Sequence, residues 1–219
     1  MFVGHLALAY AAKRARPSTN VGWYVAAAIT ADLLWPLFLL VGIEEVRIAP
    51  GTTEFTPFAF ASYPASHSLL MLLVWGFVLM AVARAAGVEK RAAWLIMALV
   101  ASHWVLDWVT HAPDMPLWPG STKFGLGLWN SLPATYAVEA TMWAAALVLY
   151  LQHRHARNWK VRLGFWSFVA VTTAMWAAGP FSPPPPSSRA LAWVALVGWI
   201  AVPWAGLADR GYKREVQRA

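Results

Sequence analysis

Seven polar side chains of this sequence stand within or beside apolar stretches, where a bilayer or a protein core would surround them. They are imidazoles and carboxylates, the groups that ligate divalent metal ions and transfer protons in catalysis. An Asp at the centre of a membrane helix costs roughly 2.5–3.5 kcal/mol on insertion scales. Such residues therefore usually face a partner or a water-filled cavity. The seven are His5, Asp32, His67, His103, Asp107, His111 and Glu139.

Three of these residues follow one another at intervals of four. His103, Asp107 and His111 advance by only about 40° per step around a helix, so all three face within an arc of about 80°. Imidazole and carboxylate groups on one helical face can grip a single cation. The alternative for the His103 and Asp107 pair is a hydrogen bond that only stabilises the helix.

Asp32 belongs to a different apolar stretch and precedes Pro36 by four residues. Proline has no N–H, so the Asp32 carbonyl oxygen loses its helical partner and we expect a kink there. Asp32 and His103 both lie about 17 Å from the start of their stretches, at about 1.5 Å per residue. His67 would be too shallow unless the loop at 55–64 folds down into the bundle. Compatible depths predict a shared metal site, whereas a single buried His is more often a packing residue.

The composition excludes a soluble globule. Of 219 residues 59% are apolar and 12% charged, whereas soluble domains have about 45–50% and 25%. The sequence contains no Cys, which excludes disulfides and thiolate metal sites. An integral membrane protein remains.

The fold class predicted is an all-α, polytopic membrane helix bundle with six spanning helices and a short N-terminal half-helix. The half-helix, at 2–12, is too short to cross a hydrocarbon core, which needs about 20 residues. Residues 1–151 would form the metal-site bundle, and 152–219 two scaffold helices and a basic cytoplasmic tail, because the last two spans lack Asp, Glu, Lys and His. The spans are predicted at 21–43, 65–85, 92–111, 132–151, 163–179 and 190–207.

Basic residues set the predicted orientation. Fourteen of the 17 Lys and Arg fall at 13–16, 84–91, 154–162 and 210–218, in alternate loops. Such loops remain in the cytoplasm, which places the C-terminus there in a multi-pass protein. The same rule accounts for the net charge of +7, so nucleic acid is not an expected partner.

Several short motifs resemble the YdjM-like membrane-bound proteins, a family of predicted metal-dependent hydrolases of the bacterial inner membrane. The resemblance covers about residues 1–125 and implies that location and activity. The order of ligands is also similar to the zinc-dependent phospholipase C and P1 nuclease superfamily. The motifs are Gly4-His5, Asp32, SHSLL at 66–70, HWVLD at 103–107 with Thr110, and PLWP at 116–119.

The superfamily likeness implies which residue holds which ion. Asp32, His67, His103 and Asp107 would form one Zn²⁺ site, and His5 would help to hold a second ion bridged by Asp107. His111 and Glu139 would be candidates for a third. That third site departs from the pattern, since Thr135 stands where a His is expected. We therefore expect one or two zinc ions rather than three.

The resulting hypothesis is a membrane-embedded zinc-dependent hydrolase that cleaves a phosphoester in a lipid or lipid-linked head group at the outer leaflet. Zn²⁺ can lower the pKa of bound water to about 7. Glu139, or Asp32 if it is not fully committed to the metal, would be the general base. Lys123 could contact a phosphate and Trp118 guide an amphipathic substrate, although a solvated charge and a loop anchor explain them equally well. Membrane lipid is the other expected partner.

Three alternatives stay open at this point. The same His and Asp cluster could relay protons or bind ions in a membrane transporter, although no internal repeat accompanies it. It could also only fix helix packing. A serine hydrolase built on Ser66 or Ser68 with His67 is a weaker hypothesis, because no nucleophile-elbow sequence is present.

Overall fold

The computed structural model describes residues 1–152 and 154–214, and most of them are helical. Two short 3₁₀ helices, Leu128–Asn130 and Gly179–Phe181, lie beside the longer elements. His153 and the end of the predicted basic tail, 215–219, lie outside the described residues. The α-helices are α1 Val3–Ala15, α2 Val21–Ala28, α3 Thr30–Leu40, α4 Pro64–His67, α5 Leu69–Ala85, α6 Lys90–Thr110, α7 Leu132–Leu151, α8 Trp159–Ala178, α9 Ser188–Ala195 and α10 Gly198–Arg210.

Within the described residues, three short antiparallel strand pairs join the loops. The first pair connects α3 to α4, the second lies between α6 and α7, and the third ties the chain after α7 to the chain after α10. Only the first has an irregular register, between Glu45 and Val46. The pairs are β1 Glu45–Ile48 with β2 Phe58–Ser62, β3 Met115–Pro116 with β4 Lys123–Phe124, and β5 Arg154–Ala156 with β6 Tyr212–Arg214.

The predicted helical membrane protein is confirmed, but the count of six spans is not. Within the described residues four helical stretches are long and apolar enough to cross a membrane. They are α6 at Lys90–Thr110, α7 at Leu132–Leu151, α8 with the following 3₁₀ helix at Trp159–Phe181, and α9 with α10 at Ser188–Arg210. The bent pair of α2 and α3 makes a fifth. The span predicted at 65–85 is interrupted because Ser68 leaves helical geometry, and its side chain accepts a hydrogen bond from Met71 N. This leaves α5 with 17 residues.

The second apolar stretch bends, but not at Pro36. The axes of α2 and α3 differ by 52°, the break lies at Ile29, and Pro36 stands inside α3. At this break the Ala28 carbonyl oxygen accepts a hydrogen bond from His103 Nδ1 at 2.8 Å. A side chain that takes a carbonyl from the helical ladder is a recognised cause of a sharp bend. The kink predicted at Pro36 is therefore wrong, because a distant imidazole decides where the helix turns.

Helix α1 lies inside the bundle rather than across it. Its 13 residues span only about 20 Å, and nine of them are buried. It packs against α2, α6 and α7. Tyr10 sits at the centre of this packing, with its ring edge-on to Trp143 and Tyr150. The short, buried half-helix predicted from the sequence is present.

The C-terminal helices pack on the N-terminal ones. Helix α10 contacts α2 and α8, and α9 contacts α3. These contacts are compatible with a scaffold role for the chain after residue 151, and the proposed division of labour stays a prediction.

A buried ion pair joins the ends of α1 and α10. Lys13 Nζ donates to Asp209 Oδ2 at 2.6 Å and to the Thr19 carbonyl oxygen at 2.7 Å. Asp209 also accepts from Val21 N at 3.0 Å and from the Tyr150 hydroxyl at 3.0 Å. One carboxylate therefore connects α1, α2, α7 and α10.

We expect Lys13→Met to lower the free energy of unfolding by about 3 kcal/mol, because it leaves a buried carboxylate without its cation. Unfolding in mixed detergent micelles measures this loss. Arg47→Gln is the matched control, since Arg47 pairs with Glu45 at 2.8 Å with both side chains exposed, and we expect it to cost less than about 1 kcal/mol. Equal losses in the two variants would contradict the assignment.

Candidate metal centre

Asp107 lies at the centre of the cluster. Its Oδ2 atom is 3.0 Å from His103 Nε2, 3.7 Å from His111 Nε2 and 3.9 Å from His67 Nε2. His103 and Asp107 lie on one face of α6, and His111 follows the last turn of that helix. The four-residue spacing noted in the sequence brings these groups together. His67 arrives from a separate segment, the short helix α4.

A second carboxylate approaches the same imidazoles. Asp32 Oδ1 is 3.8 Å from His67 Nε2 and 3.9 Å from His103 Nε2. The Asp32 side chain is 45% exposed, whereas that of Asp107 is 2% exposed. Asp32 therefore marks the open side of the cluster.

The separations between these atoms match those of ligands that share one ion. Two atoms bound tetrahedrally to Zn²⁺ at about 2.0–2.1 Å lie roughly 3.3 Å apart. Two triads have ligand atoms all within 4.8 Å of one another, and His103 belongs to both. The triads are His5 with His103 and Asp107, and Asp32 with His67 and His103.

Three imidazoles use Nδ1 for an outer hydrogen bond. His103 Nδ1 donates to the Ala28 carbonyl oxygen at 2.8 Å, and His111 Nδ1 to Asp114 Oδ1 at 3.0 Å. His67 Nδ1 donates to Ser66 Oγ at 2.6 Å. A ring that donates through Nδ1 keeps the Nε2 lone pair for a metal ion. His103 Nε2 is buried and, although it is 3.0 Å from Asp107 Oδ2, makes no hydrogen bond within the described residues, so the donor set fits a metal ion.

The hydrogen bond of His67 continues to a buried acid. Ser66 donates through its backbone N and its Oγ to the two oxygens of Glu44, each at 2.7 Å. Because the Ser66 hydroxyl hydrogen points to Glu44, Ser66 Oγ accepts from His67. Glu44 lies in the loop after α3, and burial raises the pKa of its carboxyl group while the bonds from Ser66 oppose that shift.

An aromatic loop covers His111. Phe60, on β2 of this loop, has its ring centre 4.8 Å from that of His111. Trp129, from the 3₁₀ helix Leu128–Asn130, adds a ring whose centre is 4.2 Å from that of His111. The Tyr63 hydroxyl donates to Asp114, the carboxylate that also holds His111. The loop that precedes α4 therefore folds over the cluster, and α4, which follows it, brings His67 to the other ligands.

His5 lies on the other side of Asp107. Its ring stacks on His103 with centres 3.8 Å apart and planes 1° apart, and its Nε2 is 3.0 Å from Asp107 Oδ1. The amino group of Met1 contacts the same oxygen. His5 Nδ1 is buried without a hydrogen-bond partner within the described residues. The two Asp107 oxygens thus face different sets of ligands.

Glu139 has a different position from the other candidates. Its Oε2 accepts hydrogen bonds from Phe2 N at 2.9 Å and Gly4 N at 3.1 Å, so it caps the first turn of α1. It belongs to neither triad. Its Oε1 is buried without a partner within the described residues, and its role as a base stays a prediction.

Trp118 and Lys123 are exposed side chains of the loop between α6 and α7. Lys123 Nζ donates to the Ala61 carbonyl oxygen at 2.9 Å, which fixes β4 to the loop over the cluster. Their proposed contacts with substrate stay predictions.

The residues that orient the imidazoles were not predicted from the sequence. Asp114 could have been found, because it follows His111 by three residues. Ser66 is adjacent to His67 in the chain. Glu44 gave no signal, since it is one of several acids in a loop.

Comparison with known proteins agrees with this architecture at the level of the family. The YdjM inner membrane protein family matches residues 1–181. No curated protein and no solved structure matches the chain. The matched region contains every residue of the candidate metal centre and four of the five candidate spans. The chain therefore belongs to the YdjM inner membrane protein family.

Proposed function

We propose that this chain is a membrane-embedded, zinc-dependent hydrolase that cleaves a phosphoester in a lipid or lipid-linked head group. The observation that carries the proposal is the meeting of three imidazole Nε2 atoms at Asp107 Oδ2, two of which also face Asp32. Burying such groups in a membrane bundle is costly and usually marks function.

The ligand chemistry favours zinc. Imidazole nitrogen and carboxylate oxygen are common Zn²⁺ ligands, and a catalytic zinc can expand to five-coordinate in the transition state. His67, His103, Asp107 and Asp32 would hold one ion, and His5 would serve a second that shares Asp107. A bound Zn²⁺ would acidify water and neutralise charge on a phosphoryl oxygen.

The residues of the chain would divide the remaining tasks. Substrate would approach from the side of Asp32, the exposed member of the cluster. Glu139 is one candidate base through its unpartnered Oε1 within the described residues, and Asp32 is the other if it is not fully committed to the metal. The aromatic loop would keep bulk water from His111, which strengthens electrostatic interactions within the site.

The proposed orientation puts the cluster near the outer leaflet. Helix α6 begins at Lys90, among basic residues, and ends at Thr110 beside the cluster, about 30 Å further along its axis. With basic loops in the cytoplasm, the C-terminus lies there too, and the substrate would be a lipid of the outer leaflet.

We expect the purified protein to contain about one to two zinc ions per chain, and His103→Ala and Asp107→Ala to lose most of this metal, because each removes a shared ligand. Elemental analysis with a thermal unfolding check measures both properties. His155→Ala is the matched control, since His155 lies on β5 outside the triads. Metal content that neither ligand substitution changes would overturn the metal site.

We expect Ser66→Ala to weaken zinc binding by about 10- to 100-fold, because loss of an orienting partner of a metal-ligating His has that effect. Competition with a chromophoric chelator gives the affinity. Ser68→Ala removes a neighbouring buried hydroxyl that caps α5 instead, and we expect little change in affinity. Similar losses in both variants would refute the orienting role of Ser66.

We expect phospholipid micelles to release a phosphorylated head group in the presence of the zinc-loaded protein, and both a chelator and His103→Ala to reduce this release more than about 100-fold. Release is measured as water-soluble phosphate. If a fully zinc-loaded protein released no head group from any lipid class, the hydrolase proposal would fail and ion transport would become the better explanation.

A further inference from the structure

A polar cavity lies at the end of α1 opposite to the metal cluster. It is open to the surface and has a volume of about 600 Å³ between the end of α1, the turn that leads to α2, β5 and the end of α10. This volume is within the range of small-ligand pockets, about 300–1,000 Å³. Lys13 is eight residues, about 12 Å, along α1 from His5, so the cavity is separate from the metal cluster. Its polar lining includes Lys13, Asn20, Arg154, Asp209, Arg210 and Tyr212.

The cavity carries an excess of positive charge. Three of its lining side chains are cationic and one, Asp209, is anionic. Asp209 is already occupied, because it accepts hydrogen bonds from Lys13, Val21 and Tyr150. One lining carboxylate therefore faces three cations, and Arg210 has no ion-pair partner within the described residues.

The Arg154 side chain is held in place, but its guanidinium makes no direct hydrogen bond to Asp209. Its Nη1 is 3.7 Å from Asp209 Oδ1, beyond a direct hydrogen bond, and its side chain is 8% exposed. The guanidinium lies 5.2 Å from the centre of the Tyr150 ring. A guanidinium fixed by stacking keeps N–H groups for an oxyanion, and its planar fork can bind two oxygens of a phosphate or a carboxylate. Arg210, exposed at the rim, adds a second cation.

The position of the cavity indicates where the phosphate comes from. It lies where α1, α7 and α10 end, among the basic residues that border the bundle. Lipid head groups lie at this level of a membrane protein, and basic pockets between helix ends bind anionic ones. We propose that this cavity binds the phosphate of an anionic phospholipid in the leaflet at the basic end of the bundle. The site would hold this lipid without cleaving it, and it does not depend on the metal cluster.

The test uses the purified full chain in neutral detergent, with phosphatidylglycerol, phosphatidylcholine and inorganic phosphate as three separate probes, and native mass spectrometry as the readout. We expect phosphatidylglycerol to bind better than phosphatidylcholine, which carries a compensating cation. Each basic residue near an anionic membrane contributes about fivefold, so Arg154→Gln with Arg210→Gln should weaken phosphatidylglycerol binding roughly 30-fold.

The matched control removes the same charge from the same end of the bundle. Arg14 and Arg157 are exposed and do not line the cavity, so Arg14→Gln with Arg157→Gln should change binding less than about threefold. An equal loss in this control would mean that surface charge alone attracts the lipid, and the site would be refuted. Unchanged binding in the Arg154 and Arg210 variant would refute it as well.

Two further results complete the test. If inorganic phosphate binds and phosphatidylglycerol binds no better, the ligand is a free anion and the lipid assignment fails. If the double variant unfolds, Arg210→Gln alone decides the question, because Arg210 makes no ion pair within the described part of the chain, and we expect about a fivefold loss. No loss in that single variant would overturn the proposal.

Discussion

The imidazole of His103 forms the interaction on which both the fold and the candidate site depend. One ring nitrogen donates to the Ala28 carbonyl oxygen where the axis of α2 and α3 turns by 52°. The other lies 3.0 Å from Asp107. The same side chain thus fixes the bend after which Asp32 follows and presents a lone pair to the cluster. The hydrogen bond from His103 therefore explains the bend between α2 and α3 beside the site.

Polar contacts at both ends explain why a helix too short to cross a bilayer is buried. Near the start of α1, His5 contacts Asp107 of α6, and near its end Lys13 contacts Asp209 of α10. Between them the apolar packing around Tyr10 fills the bundle. Carboxylates buried in an apolar environment are tolerated only with such partners. The candidate metal centre and the basic cavity thus lie at the two ends of one helix.

The sequence predicted those features that depend on local spacing. The common face of His103 and Asp107 follows from helical periodicity, and the membrane character follows from the length of the apolar stretches. Features that depend on distant contacts were not predictable in this way. The bend at Ile29 depends on a side chain 75 residues away from Ala28. The link from Glu44 to His67 through Ser66 joins two segments whose spacing carries no pattern.

The uneven exposure of the cluster has a kinetic consequence. Among its six His and Asp residues, Asp32 alone reaches open space to any large extent, and the side chains of the other five are at most 4% exposed. An ion coordinated there could leave only on the side of Asp32, and its departure would require the Asp32 carboxylate to move aside. The speed at which the ion is lost would then depend on this movement, so stripping the ion would take long incubation even with a strong competitor.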